Sequence, residues 1–161
     1  MTELTEVPAV DTDAETKRKV ETVEPFLYDS LAFTTPPPLA NARVAIVTTA
    51  GLSHGGDDEF AGLGDQSFRV LRAGDPDLKL SHMSPNWDRA GLAADLNLVV
   101  PHDRLVELAA EGTIGSVAPR HFSFMGAQGD ATMATIRLDT GPAVAKALLE
   151  DGVDVVLLTP V

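Results

Sequence analysis

The sequence predicts an α/β domain: a mainly parallel sheet with helices on both faces, in a Rossmann-like three-layer arrangement that is incomplete at its C-terminal side. Two apolar runs point there, Arg43-Val44-Ala45-Ile46-Val47-Thr48-Thr49 and Val153-Asp154-Val155-Val156-Leu157-Leu158. Both are short, continuous and rich in β-branched residues, as strands covered on two faces are. The third indication is alternation. Strand, loop, helix and strand follow one another from residue 42 onward, the order that gives a parallel sheet with right-handed crossovers.

Taken in order, residues 1–40 are an acidic, Thr-rich arm ending in Thr34-Thr35-Pro36-Pro37-Pro38, a proline run that favours extended polyproline II. A short helix is expected over residues 16–23, ended by Pro25. Phe26, Leu27, Tyr28, Leu31 and Phe33 are apolar enough to dock on a neighbour. Residues 41–161 are the α/β domain. Its first strand runs to Thr49, and the segment Ala50–Gly56 reads as a Gly-rich loop. A second strand is expected at Leu78-Lys79-Leu80-Ser81-His82 and a third at Asn97-Leu98-Val99-Val100. His102–Glu111 carries Leu105, Leu108 and Ala109 on one helical face, with Pro101 at its start and Gly112 closing it. Ser116-Val117-Ala118 is a further short strand, while Arg120–Gly126, with His121 and two Phe, reads as a packed or interface segment. Gly141–Glu150 is a helix with Pro142 in its first turn and Gly152 near its C-cap. It feeds the terminal strand, read as central and buried.

Composition narrows the function. With 44% hydrophobic and 22% charged residues over 161 positions, the chain can bury a core of its own. A net charge of −12 argues against nucleic-acid and anionic-membrane surfaces, which need clustered Lys and Arg. The N-terminus lacks the basic and apolar regions of a signal peptide, so a cytoplasmic location is expected. There is no cysteine, hence no disulfide, thiolate zinc site or thiol nucleophile within these residues.

Polar residues gather where strands should end. Ala50-Gly51-Leu52-Ser53-His54-Gly55-Gly56 follows the first strand, so its amides and Ser53 are placed to cradle an anion, or simply to connect two elements. The glycine spacing fits neither the Walker nor the dinucleotide pattern. Arg69 is suited to a substrate carboxylate or to structural pairing with Asp65. His82 falls at a strand end, from which a general acid or base projects into a crevice, with Asp88 or Asp95 to orient it. His82, Asp88 and His102 match no familiar metal-ligand spacing, and no metal site is expected. Each histidine is equally readable as a hydrogen-bonded structural residue.

Several of these segments occur together elsewhere. Thr48-Thr49-Ala50-Gly51, Gly64-Asp65-Gln66-Ser67-Phe68-Arg69, Ser81-His82, Asp95–Leu105 and Glu111-Gly112-Thr113-Ile114-Gly115-Ser116 resemble, in order, the selenoprotein B family of glycine, sarcosine, betaine and D-proline reductases. The resemblance runs from about Ala42 to Val161 and leaves out the arm. It implies reductive cleavage of a C–N bond α to a carboxyl group, with electrons from a dithiol donor, beside a partner subunit whose pyruvoyl group activates the amine. It also implies a homo-oligomer or a hetero-oligomer with that subunit. Under it, His82 takes proton transfer, Asp95 and Asn97 orient, Arg69 or Arg104 holds the substrate carboxylate, and Gly51 and Thr159 line the same crevice. In that family a selenocysteine or cysteine follows a strand resembling Val153–Pro160. The expectation is a reading frame continuing through a UGA codon, with the 161 residues inactive alone; the alternative is a non-catalytic binding or assembly module.

Overall fold

The computed structural model describes residues 12–22, 29, 33–84, 87 and 89–161. The chain divides into two units, residues 1–34 and 35–161. In the first, helix α1 spans Thr12–Glu21, earlier than the 16–23 expected; Glu15 ahead of Lys17 and Arg18 suits the helix dipole. Of the apolar residues expected to dock, Phe26, Leu27, Tyr28 and Leu31 lie outside the described residues, and Phe33 is exposed.

The second unit is built on β1, Arg43–Thr48. On one side it pairs in parallel with β7, Val155–Thr159, in unbroken register from Val44↔Val155 to Thr48↔Thr159. On the other it meets first β5, Ser116–Val117, and then β6, Arg120–Phe124, again in parallel. The strand β3, Phe68–Arg72, adds antiparallel to β6. The sheet is therefore mainly parallel, with one antiparallel margin. A separate antiparallel pair joins β2, Leu52–His54, to β4, Leu78–Leu80.

Alternation along β1 sends side chains to two cores. Val44 and Ile46 pack with Leu71, Val99, Val100, Leu105 and Ile114, the Leu105 coming from α3, His102–Ala110. Ala45 packs on the opposite face with Phe122, Phe124, Val144 and Leu148, the last two from α5, Gly141–Glu150. Helices thus cover both faces. Ile46 and Phe122 are fully buried, each worth about 1.5–3 kcal/mol of apolar burial. Arg120 clamps the end of α5 through a bidentate pair with Asp151, both contacts at 2.8 Å, which holds the Asp151 carboxyl below its usual range. No helix among the described residues is long and apolar enough to cross a membrane.

Four expectations are corrected. The loop after β1 holds a strand, β2, because Leu52 is buried and Ser53 reaches Ser81 Oγ at 3.3 Å across β4. The second expected strand stops at Leu80 and belongs to that small pair rather than to the parallel sheet. The segment Asn97–Val100 is not a strand: Leu96–Leu98 is a 3-10 turn, capped where Asp95 accepts Asn97 N–H, and it follows the short helix α2, Ala90–Ala94. Arg120–Phe124 is packed as expected, with His121 and both Phe buried, and forms an interior strand; Phe68–Arg72, not foreseen, pairs with it. Finally β7 is not central. Among the described residues it pairs with β1 alone, and Val156, Leu157 and Leu158 are 38%, 39% and 68% exposed, so it is not buried either; a β-branched apolar run signals a strand and is silent about what covers it. The helix expected at Gly141–Glu150 stands as α5; the helix α4 ahead of it, Asp130–Thr135, joined through a π-helical turn at Ile136–Thr140, was not foreseen.

The register of β1 shifts between β5 and β6, from Val44↔Val117 to Val47↔Phe122. Ile46 sits at the shift, and its N–H donates to His121 Nδ1 at 3.1 Å, an imidazole standing where a ladder carbonyl would be. His121 is 1% exposed, and burial, followed by the neighbouring His102, lowers its pKa to about 4. Below pH 6.5 the unfolded chain takes up a proton that the folded chain refuses until about pH 4, so stability is complete above 6.5 and lost as pH falls. Urea unfolding at a series of pH values is expected to show about 3 kcal/mol of this loss between those limits, absent in His121→Asn. A wild-type midpoint constant down to pH 4 would contradict the role given to His121.

Candidate functional site

Four segments far apart in sequence meet at the carboxyl end of β1, where ligands sit in open α/β sheets. The first is the end of β1 itself. Thr48 Oγ1 donates to Thr159 O at 3.2 Å and accepts from Ala50 N–H at 3.1 Å. Thr49 extends the pairing: its N–H reaches Thr159 O, and its hydroxyl accepts Val161 N–H at 2.8 Å. Next comes Gly51, whose φ of +62° suits glycine. Its N–H donates to Phe124 O and its carbonyl accepts from Ser81 N–H, so it ties β6 to the segment after β4. A β-carbon on Gly51 would lie 3.0 Å from His82 Cα.

His82 is delivered by that tie and is 4% exposed. Its Nδ1 accepts Ser84 N–H at 3.2 Å. A main-chain N–H can only donate, so in the neutral ring the proton resides on Nε2. Among the described residues Nε2 has no hydrogen-bond partner. Trp87 meets the ring edge-on at 4.7 Å between centroids. Burial first, then the charge of Arg89, lowers the pKa of His82, which keeps the ring neutral.

Gly126 completes the crevice. A β-carbon there would come within 2.8 Å of His82 Nε2, 2.8 Å of Thr49 O and 2.7 Å of Val161 O. One N–H donor and two main-chain oxygens therefore pack against a residue whose lack of a side chain lets them approach this closely. The buried Nε2–H is a fixed hydrogen-bond donor with no acceptor among the described residues.

Of the residues singled out in the sequence, Gly51, His82 and Thr159 belong to this region; Thr159 Oγ1 also donates to Val99 O at 2.7 Å. Asp95 and Asn97 are engaged elsewhere. Asp95 Oδ1 accepts both Asn97 N–H and Asn97 Nδ2, at 2.9 and 3.0 Å, which holds its carboxyl below the usual range. Asn97 then bonds Asp103 at the start of α3. The nitrogen of His82 that Asp95 would orient is occupied by Ser84. Arg69 spends its donors on Asp58 O, Glu59 O, Phe68 O and Ser67 Oγ, stacks over Phe60 at 4.3 Å and lies 3.8 Å from Asp65. The structural pairing thus prevails, with at most one N–H left of five. Arg104 is exposed and bridges Glu107 at 2.9 Å. Asp88 lies outside the described residues. No group of three metal-ligating side chains occurs among the described residues.

Sequence reasoning missed Gly126, Ser84 and Arg89. The Gly after Arg120–Met125 was the available signal for the first; the other two act through main-chain contacts that spacing does not reveal. Elsewhere, His102 Nδ1 stands 3.2 Å from His121 Nε2 beside a cavity of about 250 Å³ lined by Leu71, Gly74, Leu78 and Asn97.

A mainly parallel α/β domain with a buried neutral imidazole at its carboxyl edge defines the class. The chain belongs to the glycine/sarcosine/betaine reductase selenoprotein B family, which it matches over residues 34–161. It is 40% identical over 136 residues to the D-proline reductase subunit gamma of Acetoanaerobium sticklandii, covering 78% of this chain and 54% of that one. It is 33% identical over 131 residues to the sarcosine reductase complex component B subunit beta of Peptoclostridium acidaminophilum, covering 75% of this chain and 28% of that one. The chain thus spans about half the length of the first relative and under a third of the second. No solved structure matches it.

Gly126→Ala is expected to destabilise the domain by about 1–3 kcal/mol in urea unfolding, because main-chain oxygens must move to admit the methyl group. Gly62→Ala, where an added β-carbon meets nothing within 4 Å, should change stability by less than about 0.5 kcal/mol. Equal effects at the two positions would mean that the crevice is looser than described.

Proposed function

We propose that this chain contributes the α/β domain of a reductase-complex subunit, and that its crevice is where a C–N bond α to a carboxyl group is reductively cleaved. The substrate is an amino acid or derivative of the D-proline, glycine, sarcosine or betaine type. What carries the reading is the unpartnered Nε2–H of His82, converging with Thr49 and Val161 on Gly126, in a chain of this family. In the cleavage the bond takes up an electron pair, carbon and nitrogen each gain a proton, and a dithiol becomes a disulfide. The chain has no cysteine. The selenol or thiol that attacks is therefore supplied from outside these residues, and the 161 residues alone are inactive.

His82 serves this reaction as a fixed hydrogen-bond donor. With Nδ1 committed to Ser84 N–H, imidazolium forms only by breaking that bond, so the neutral ring stabilises developing negative charge rather than relaying its proton. Thr49 keeps the main chain at Val161 in place beside it. Asp95 and Asn97 support the site indirectly, through the turn that precedes α3 and presents Val99 O to Thr159. A partner subunit bearing a pyruvoyl group completes the complex by supplying a reactive carbonyl to the amine, and a cytoplasmic location suits a dithiol donor.

A second reading, a non-catalytic binding or assembly module, draws on the cysteine-free sequence and on the exposed apolar side chains of β7. Activity of the assembled complex separates the two. His82→Ala is expected to lower turnover of the folded complex about 100-fold, beyond what the stability lost with a buried ring accounts for, and His82→Gln, which keeps an N–H donor, to recover part of it. Turnover unaffected by His82→Ala would remove His82 from the chemistry and favour the module.

A further inference from the structure

Arg89 was not among the expected carboxylate-binding residues, yet it stands where one is needed. One terminal nitrogen, Nη2, donates to His82 O at 2.8 Å and Ser84 O at 3.4 Å. It thereby grips both ends of the turn whose Ser84 N–H fixes the His82 ring. Among the described residues neither Nε nor Nη1 has a hydrogen bond, and no carboxylate forms an ion pair with Arg89.

The same side chain borders a cavity of about 320 Å³, whose other described lining residues are Leu52, Leu78, Leu80, Leu92, Ala93 and Leu96. Every one of these is aliphatic. Arg89 beside an aliphatic cavity selects a molecule with an anionic head and an apolar body: the fork of N–H groups matches a carboxylate, and among the described residues the walls offer no other charged side chain. Arg69 and Arg104, by contrast, have their donors in structural bonds or an exposed pair.

We propose that Arg89 and this cavity bind small carboxylates with branched or cyclic aliphatic bodies, the carboxylate on the free edge of the guanidinium and the body against Leu52, Leu80, Leu92 and Leu96. The catalytic meaning of this site rests on the reading of the His82 crevice given above; the binding itself does not. A carboxylate paired with Arg89 also offsets the positive charge that disfavours protonation of His82, so occupancy is reported at the imidazole.

Titration of the 161-residue chain with sodium isovalerate, followed by NMR, tests this without turnover. Saturable binding in the millimolar range or tighter is expected, at least about tenfold stronger than for isopentylamine or isovaleramide, with acetate weaker than isovalerate. Bound isovalerate should raise the His82 pKa. Arg89→Met should abolish binding, Arg89→Lys should retain a weakened fraction, and Ala93→Leu, an exposed position that fills the cavity, should weaken binding with Arg89 intact. Equal binding of the amide or amine, no saturation by isovalerate, or unchanged binding by Ala93→Leu would overturn the proposal. If Arg89→Met fails to fold, the Ala93→Leu result and the ligand series decide alone. Because no step of the assay involves reduction, its failure leaves the catalytic role of His82 standing, and loss of that role leaves this binding standing.

Discussion

The structure depends on β1 being hydrogen-bonded along both edges. One edge carries an uninterrupted parallel ladder to β7, the other a ladder to β5 and β6 broken once, at Ile46. Because both neighbours run parallel to β1, their carboxyl ends finish together, and the chain leaves them where Thr49 bonds Thr159 and Val161 and Ala50 bridges Met125. Thr48 and Thr49 prolong the pairing with side-chain hydroxyls after the strand geometry ends. The crevice is thus a consequence of strand direction, with Gly51 and Gly126 sited where a side chain would close it.

A second regularity concerns how the buried imidazoles are held. His54 Nε2 accepts Arg72 N–H, His82 Nδ1 accepts Ser84 N–H and His121 Nδ1 accepts Ile46 N–H. Each main-chain donor dictates which ring nitrogen keeps the proton in the neutral ring, and leaves that nitrogen facing another group. For His54 it faces Asp75 at 3.1 Å, for His121 it faces His102 at 3.2 Å. For His82 it has neither a hydrogen-bond partner nor an ion-pair carboxylate among the described residues. The same device that is structural at two sites leaves a donor without an acceptor at the third, so the surroundings of the protonated nitrogen, more than burial or residue type, set His82 apart.

Much of the frame was legible because apolar periodicity and caps are local properties. The run Arg43–Thr49, the helix after Pro101 closed by Gly112 at φ +74°, and the helix opened by Pro142 and closed near Gly152 at φ +67° all stand as read. What escaped depends on partners distant in sequence. Phe68–Arg72 is a strand because β6 offers it an edge, and Arg120–Phe124 is interior because β1 and β3 flank it. Asn97–Val100 had strand-like residues, but Asp95 and Asp103 bind Asn97 and draw the chain into a turn. For the site, Gly51, His82 and Thr159 were visible as polar or glycine residues at strand ends. Arg69 looked the same on paper; only the folded loop at Asp58 and Glu59 shows its donors taken. Arg89 had no signature at all, since its value lies in which carbonyls it grips.

The central claim is that His82 is a neutral donor with its proton on Nε2. Two-bond 15N–1H correlation spectra of the imidazole rings, recorded from pH 5 to 8, measure this directly. The account predicts that His82 shows the Nε2–H pattern, with Nδ1 unprotonated, and titrates below the ordinary 6.5. A His82 ring carrying its proton on Nδ1, or one titrating above 6.5, would contradict it.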